Sequence, residues 1–235
     1  MHLLIITGTS SGIGFALANE ALKNNRFKVL GLSRTNQIEH PNFIFKSIDF
    51  RYPKQLKDIS FPEVNEIRSI TLVNNAGVLG EINTLDQLSW ESLDEVMTVN
   101  YLAPLYLIKR FLEAHQESNL NKTIINISSG ASTSAYASWA NYCSSKAALE
   151  MLTKCINEEQ KEQKYPIKCF SIAPGVVDTN MQIQIRNTPE KDFKLQSKFI
   201  DLFNEKKLFN PNYVAQKLLE VIEFPNQFDS VFRIL

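Results

Sequence analysis

Leu3-Leu4-Ile5-Ile6-Thr7-Gly8-Thr9-Ser10-Ser11-Gly12-Ile13-Gly14 is the stretch that decides the fold. A short apolar run reaches a threonine, glycines follow at 8, 12 and 14, and an Ala/Leu-rich segment of helical period covers 12–23. That order is strand, tight turn, helix. Glycine permits the turn and lets a phosphate approach backbone N–H groups at the positive end of the helix. Gly8, Ser10, Ser11, Gly12, Ile13 and Gly14 are therefore candidate ligands of a dinucleotide pyrophosphate, because a glycine triplet gains weight in this context.

The pattern repeats outward from that loop. Short apolar runs at 3–7, 28–33, 43–48, 69–74, 123–128, 167–173 and 230–235 alternate with helical segments at 12–23, 90–98, 101–115, 141–163 and 211–224. Several runs are continuous in Val, Ile and Leu, as expected of parallel strands covered on both faces. The expectation is an α/β fold: a doubly wound parallel sheet (Rossmann fold) with helices on both faces, in one domain spanning 1–235. The polar stretch 178–210, dotted with Met181, Ile185, Phe193 and Phe199, reads as an insertion that serves as a substrate lid.

Composition narrows the function classes. The 235 residues carry 25 basic and 25 acidic side chains and 44% hydrophobic residues, the balance of a soluble globular protein. Without a basic footprint, nucleic acid is not an expected partner. The apolar start is too short for a membrane span and has no basic n-region, so a cytoplasmic protein is expected, with no membrane partner. Cys143, Cys155 and Cys169 lack metal-ligand spacing; buried thiols in a reducing compartment are expected, and no metal site.

The second run ends in Ser33-Arg34, where an acidic residue would accept the adenosine ribose 2′-OH and repel a 2′-phosphate. A hydroxyl and a guanidinium favour that phosphate instead, so NADP(H) is the expected cofactor. Farther along, Tyr142 and Lys146 lie four apart, one helical turn, on the same face. A phenol is ordinarily too weak an acid for neutral pH, and an adjacent ammonium favours its ionised form. Three further run ends, Asn74-Asn75-Ala76-Gly77, Ser128-Ser129-Gly130 and Ala173-Pro174-Gly175, bring small or hydrogen-bonding residues to the edge where such sheets bind ligands. Each could be turn chemistry alone; together they outline a cofactor channel.

In order and spacing, Thr7–Gly14, Asp49, Asn74–Gly77, Asn100, Ser129, Tyr142/Lys146 and Pro174-Gly175 make the sequence similar to the single-domain short-chain dehydrogenases/reductases. The segments 127–130, 142–146 and 174–186 resemble most the sepiapterin reductase/benzil reductase subgroup. The resemblance implies a catalytic set of Asn100, Ser129, Tyr142 and Lys146. Tyr142 would be the general acid of carbonyl reduction, Ser129 the hydrogen bond to the carbonyl oxygen, and Lys146 the group that lowers the tyrosine pKa and binds the nicotinamide ribose. Asn100 would hold a relay water. The resemblance prefers Ser129 to Ser128, because Ser129 precedes Tyr142 by thirteen residues, the spacing of the family's catalytic serine. Asp49 and Phe50 would border the adenine, Asn75, Ala76 and Gly77 the adenosine side and ribose, and Pro174, Gly175, Val177 and Thr179 the nicotinamide. Many NADP-preferring members have a basic residue where this chain has Ser11, which leaves Arg34 most of the 2′-phosphate charge.

A ketone or 1,2-diketone of aromatic character is the expected substrate, since Tyr136, Trp139, Leu79, Met181 and Ile185 fall near the reacting centre. Tyr136 and Trp139 could equally serve packing against the lid or a subunit partner. The apolar faces Leu102/Leu105/Ile108/Phe111/Leu112 and Ala147/Ala148/Met151/Leu152/Cys155 imply, by resemblance, a homodimer or a homotetramer. Two rivals stand beside the reductase. A catalytically silent NADP-binding regulatory protein is disfavoured by the intact four-residue set. A sugar-nucleotide epimerase or dehydratase would ordinarily carry a larger C-terminal substrate domain.

Overall fold

A computed structural model describes residues 1–62 and 66–234. Seven strands run parallel in one sheet: β1 His2–Thr7, β2 Phe27–Ser33, β3 Phe43–Ser47, β4 Ser69–Asn74, β5 Asn121–Ile127, β6 Lys168–Ala173 and β7 Val231–Arg233. Their order is β3-β2-β1-β4-β5-β6-β7. The chain steps outward from β1 in one direction and then, from β4, in the other. β1 and β4 thus flank the switch point outside whose C-terminal ends such sheets bind ligands.

Alternation along β1 explains why a continuous apolar run is needed. Leu3 and Ile5 pack on one face with helices α3 (Ala103–His115) and α4 (Ala140–Gln160). Leu4 and Ile6 pack on the other, with α1 (Gly12–Leu22) and α7 (Pro211–Glu223). With both faces covered, no position along this strand can be polar without a partner. At its start, His2 bridges to β4, its ring nitrogens 2.8 Å from Ser69 Oγ and 3.0 Å from Thr71 Oγ1. The expected fold is the one observed.

The differences from the sequence reading have local causes. β5 begins two residues earlier than the apolar run because Lys122 is buried there, its Nζ donating to the carbonyls of His115 and Gln116 at 3.1 and 3.0 Å and to that of Ser118. The break expected between 98 and 101 is a π-helical turn, Thr98–Leu102, which joins α2 (Trp90–Met97) to α3. The stretch 178–210 contains two short helices, α5 Asn180–Asn187 and α6 Gln196–Asn204, so it has more regular structure than expected. Leu235, in the last apolar run, lies outside the described residues. Among the described residues no helix is long and apolar enough to cross a membrane.

Candidate active site

The loop after β1 is stitched to the loop after β4. Thr7 Oγ1 accepts from the backbone N–H groups of Asn75 and Ala76 at 2.9 and 2.8 Å, and Asn75 Nδ2 donates to the Thr7 and Gly8 carbonyls at 2.8 and 3.3 Å. Gly8 stands at φ +74°, a region that side-chain-bearing residues rarely enter. Gly14 is required for closeness: a Cβ there would come 2.4 Å from both the Gly8 carbonyl oxygen and Asn75 Nδ2. The helix it belongs to begins at Ser11, whose side chain makes no capping bond, and its first turn holds no acidic residue. The first-turn N–H groups therefore keep their positive potential for an anion.

A cleft of about 800 Å³ runs from this loop across the C-terminal edge of the sheet. Gly8, Ser10, Ser11, Ile13, Ser33, Arg34, Asp49, Phe50, Asn75, Ala76 and Gly77 line it toward β2 and β3. Ser129, Tyr136, Trp139, Tyr142, Lys146, Pro174, Gly175, Val177, Thr179 and Met181 line it toward β5, β6 and the 178–210 segment. Three of the expected site residues are not on its wall. Gly12 opens on an adjoining recess of about 310 Å³, Gly14 is packed behind the loop, and Asn100 is fully buried.

Several polar groups expected to face a ligand are instead engaged within the protein. Ser33 Oγ donates to the Thr35 carbonyl at 2.8 Å and lies 3.1 Å from Thr9 Oγ1. The Asn100 amide is wholly used: Oδ1 accepts from Val78 N at 2.8 Å, and Nδ2 donates to Val78 O at 2.8 Å and Ser145 Oγ at 3.1 Å. Its backbone carbonyl is another matter. In an α-helix residue 104 would donate to it, and residue 104 is proline, which has no N–H.

Tyr142 and Lys146 share the inward face of α4, both more than nine-tenths buried. Lys146 Nζ donates to the Ile127 carbonyl at 2.8 Å and lies 5.8 Å from the centre of the Tyr142 ring. Burial pushes the Lys146 ammonium down to about 8. Burial also pushes the Tyr142 phenol up to about 12, although the Ser129 hydroxyl pulls it back in part. The net direction is upward, where the sequence expectation was downward, because burial is the largest cause and no lowering by the Lys146 charge is resolved beside it. The phenol is accordingly held protonated, the form that donates. Ser129 also caps the short 3₁₀ turn Gly130–Ser132, accepting from Ala131 N at 3.2 Å.

An aromatic wall closes the other side. Trp139 stacks on Phe193 of the 178–210 segment (centroids 4.9 Å apart, planes 9° apart) and meets Tyr136, Phe199 and Tyr142 at 5.1, 5.5 and 5.9 Å. Packing against this segment and facing the cleft are thus not alternatives for Trp139; it does both. The Tyr142 hydroxyl lies 4.0 Å from Met181 Sδ. Sequence reasoning missed Arg51, Glu95, Gln182 and Arg233, which also line the cleft. Arg51 follows Asp49 by two residues and was within reach of a charge-pattern argument. Glu95, Gln182 and Arg233 arrive from distant elements and had no local signal.

The comparisons with known proteins agree with this architecture. The family model described as short chain dehydrogenase matches residues 2–190. The chain belongs to that family. It is an oxidoreductase of a group that uses NAD(P). Its relatives include the benzil reductase ((S)-benzoin forming) of Bacillus cereus, 38% identical over 96% of each chain. A sepiapterin reductase of Xenopus tropicalis is 29% identical over 68% of this chain and 61% of that one. Among solved structures, the KRED1-Pglu enzyme superposes with a TM-score of 0.82 at 28% identity, covering 94% of both chains. The resemblance to the benzil and sepiapterin reductases drawn from the motifs is therefore the one these relatives show.

Proposed function

We propose that this chain is an NADPH-dependent carbonyl reductase that takes a ketone or 1,2-diketone of aromatic character to the alcohol, with Tyr142 as proton donor. The observation that carries the reading is the buried Tyr142 phenol, one helical turn from the buried Lys146, on the wall of the same cleft that receives the glycine loop. The relative that forms (S)-benzoin supports the diketone, and the Tyr136/Trp139 wall offers an aromatic substrate a matching surface.

The residues present fit a nicotinamide dinucleotide. Helices α1 and α5 both begin at the cleft without a side-chain cap or an acidic first turn, which suits a diphosphate. A Cβ at Gly77 would come 3.3 Å from Asn100 Oδ1 and 3.5 Å from Lys146 Nζ, so that space stays open only because the residue is glycine. Arg34, exposed and lining the cleft, supplies the charge for a 2′-phosphate. When bound, the reduced nicotinamide supplies the hydride that adds to the carbonyl carbon.

The chain's own task is positioning and proton supply. Ser129 and Tyr142 hydrogen-bond the carbonyl oxygen, and Tyr142 Oη gives up its proton as the alkoxide forms. Lys146 stabilises the phenolate left behind. The proton is restored through Lys146 and a water held by the Asn100 main-chain carbonyl, not by its committed side chain. The 178–210 segment acts as a lid whose Met181 covers the phenol. A homodimer across α3 and α4 suits the outward stripe of Ala147, Met151 and Cys155 and the exposed Leu102, whereas Ile108 and Phe111 are buried on their own sheet. The three cysteines are free thiols, which suits the cytoplasm, but only Cys169 is buried as expected; Cys143 is half-buried and Cys155 is exposed on the outer face of α4.

The test is a panel of ketones and diketones with NADPH or NADH, following loss of reduced-nicotinamide absorbance, with Tyr142→Phe as control. Turnover of aryl diketones with NADPH, lost in the phenylalanine variant, is expected. Undiminished turnover in that variant removes Tyr142 as donor, and better turnover with NADH removes the role given to Arg34. A chain that consumes no NADPH with any carbonyl is the silent regulator instead.

A further inference from the structure

Beyond Arg34, the adenosine end of the cleft holds a clamped ion pair. Arg51 Nε lies 3.1 Å from both carboxylate oxygens of Asp49, Arg51 Nη2 lies 2.6 Å from Oδ2, and the Arg51 backbone N–H donates to Oδ1 at 3.0 Å. The loop carrying the pair is fixed in turn, since Gln55 Nε2 donates to the Asp49 carbonyl at 2.6 Å. Asp49 and Arg51 both line the cleft, as do Arg34 and Glu95.

The charges of these four residues balance, two cations against two carboxylates. They also feel one another. The Asp49 carboxyl is held below its ordinary range first by the Arg51 hydrogen bond, and the Arg34 charge contributes as well. Arg51 in turn senses Glu95. Without Arg51, the Asp49 carboxylate would face Arg34 uncancelled and Glu95 would lose its cation, so a phosphate brought to Arg34 would meet net negative charge along this part of the cleft. A ribose hydroxyl would be indifferent to that change, whereas a 2′-phosphate carries nearly two negative charges.

We propose that Arg51 is a cofactor-selecting residue: clamped on Asp49, it cancels the carboxylate that would otherwise repel a ribose 2′-phosphate held at Arg34. The inference rests on the NADPH reading above and adds to it a second determinant, one that acts through Asp49.

Titration calorimetry of the full chain with NADP⁺, NAD⁺, 2′,5′-ADP and 5′-AMP tests this without turnover. In Arg51→Gln, both 2′-phosphorylated ligands should weaken roughly five- to tenfold, more than an ordinary exposed pair because the phosphate is near-dianionic, and less so at high salt. NAD⁺ and 5′-AMP should stay within about twofold, since they have no 2′-charge to repel. Adding Asp49→Asn to Arg51→Gln should restore most of the lost 2′-phosphate affinity. Equal weakening of all four ligands would mean that Arg51 only shapes the loop, and the proposal falls. Failure of the double variant to recover would make Arg51 a direct phosphate ligand, which also overturns it. A wild-type chain that holds 5′-AMP as tightly as 2′,5′-ADP takes down the NADPH reading itself, and the selecting role with it. That outcome is seen before any variant is made.

Discussion

Phe193→Ala measures how firmly the 178–210 segment is tied to the catalytic helix. Phe193 is 1% exposed and lies flat against Trp139, with Phe199 5.8 Å away. Truncating a buried phenylalanine costs about 3–5 kcal/mol, part transfer and part cavity. The stack on Trp139 makes the upper half of that range the better expectation, because an aromatic pair adds to simple burial. Trp139 precedes α4 directly and touches Tyr142, so the cluster belongs to the same cooperative unit as the sheet. For a domain of this size each kcal/mol moves Tm by about 2–4 °C, so the upper half of the energy range gives a fall of roughly 8–20 °C. Thermal melting followed by circular dichroism reads the stability. Steady-state kinetics should show KM for the diketone rising, since the aromatic wall is loosened, while binding of 2′,5′-ADP at the far end of the cleft is kept. A Tm within about 2 °C of wild type would refute the coupling, and the segment would then be an appendage whose packing is energetically idle.

Three further outcomes follow from the same structure. Lys146 titrates at about 8 because it is buried, so it is charged below that pH and neutral above it; kcat/KM for reduction should fall as pH rises through about 8, and a profile flat to pH 10 would exclude its charge from the mechanism. Gly14→Ala places a methyl 2.4 Å from the Gly8 carbonyl oxygen, a backbone collision, and should cost about 1–3 kcal/mol and most NADP⁺ affinity by calorimetry; wild-type binding would show that the loop yields to a methyl group and that its closeness does not set affinity. His2 is held neutral, its pKa lowered to about 4 by burial first and then by the N-terminal ammonium and Arg26. A depressed folded pKa gives stability that is complete above about 6.5 and lost as pH falls toward 4, at most about 3 kcal/mol here. Urea midpoints between pH 7 and 4.5 should therefore fall less steeply in His2→Gln than in wild type, with His115 unchanged in both; parallel slopes would discard the assignment.

What was legible in the sequence was whatever local pattern dictates. Leu3–Ile6 must be apolar at every position because both faces of β1 are covered, and such a run shows in one dimension. The glycine loop, the tyrosine and lysine one turn apart and the serine ending β5 are likewise short-range signals. α5 and α6 were not legible: each is a short segment, eight and nine residues long, and its inward residues Ile185 and Phe199 bury against Trp139, which precedes them by more than forty positions. Lys122 misled for a similar reason. A lysine at the start of a strand looks like a boundary until the carbonyls at and just past the end of α3 that receive its ammonium are in place.

Roles were harder to read than locations, because a polar residue near a ligand can be consumed by the fold. Ser33 and Asn75 both line the cleft, yet the serine hydroxyl is spent on Thr35 and the asparagine amide on the loop after β1. Asn100 is the sharpest case. Its side chain holds Val78 and Ser145, so exchanging the amide would chiefly disturb the β4 loop and α4. The group it can offer to a water is its main-chain carbonyl, which lacks its usual helical donor because Pro104 stands four residues on. The π turn runs directly into the helix turn that carries this proline, and under the proposed relay the water site belongs to the pair Asn100/Pro104. Pro104→Ala is the substitution that separates the two contributions. It restores the missing N–H while leaving every bond of the Asn100 amide in place, so if the proposed relay holds, kcat in steady-state kinetics should fall while Tm stays near wild type; an unchanged kcat would remove the Asn100 carbonyl from the relay.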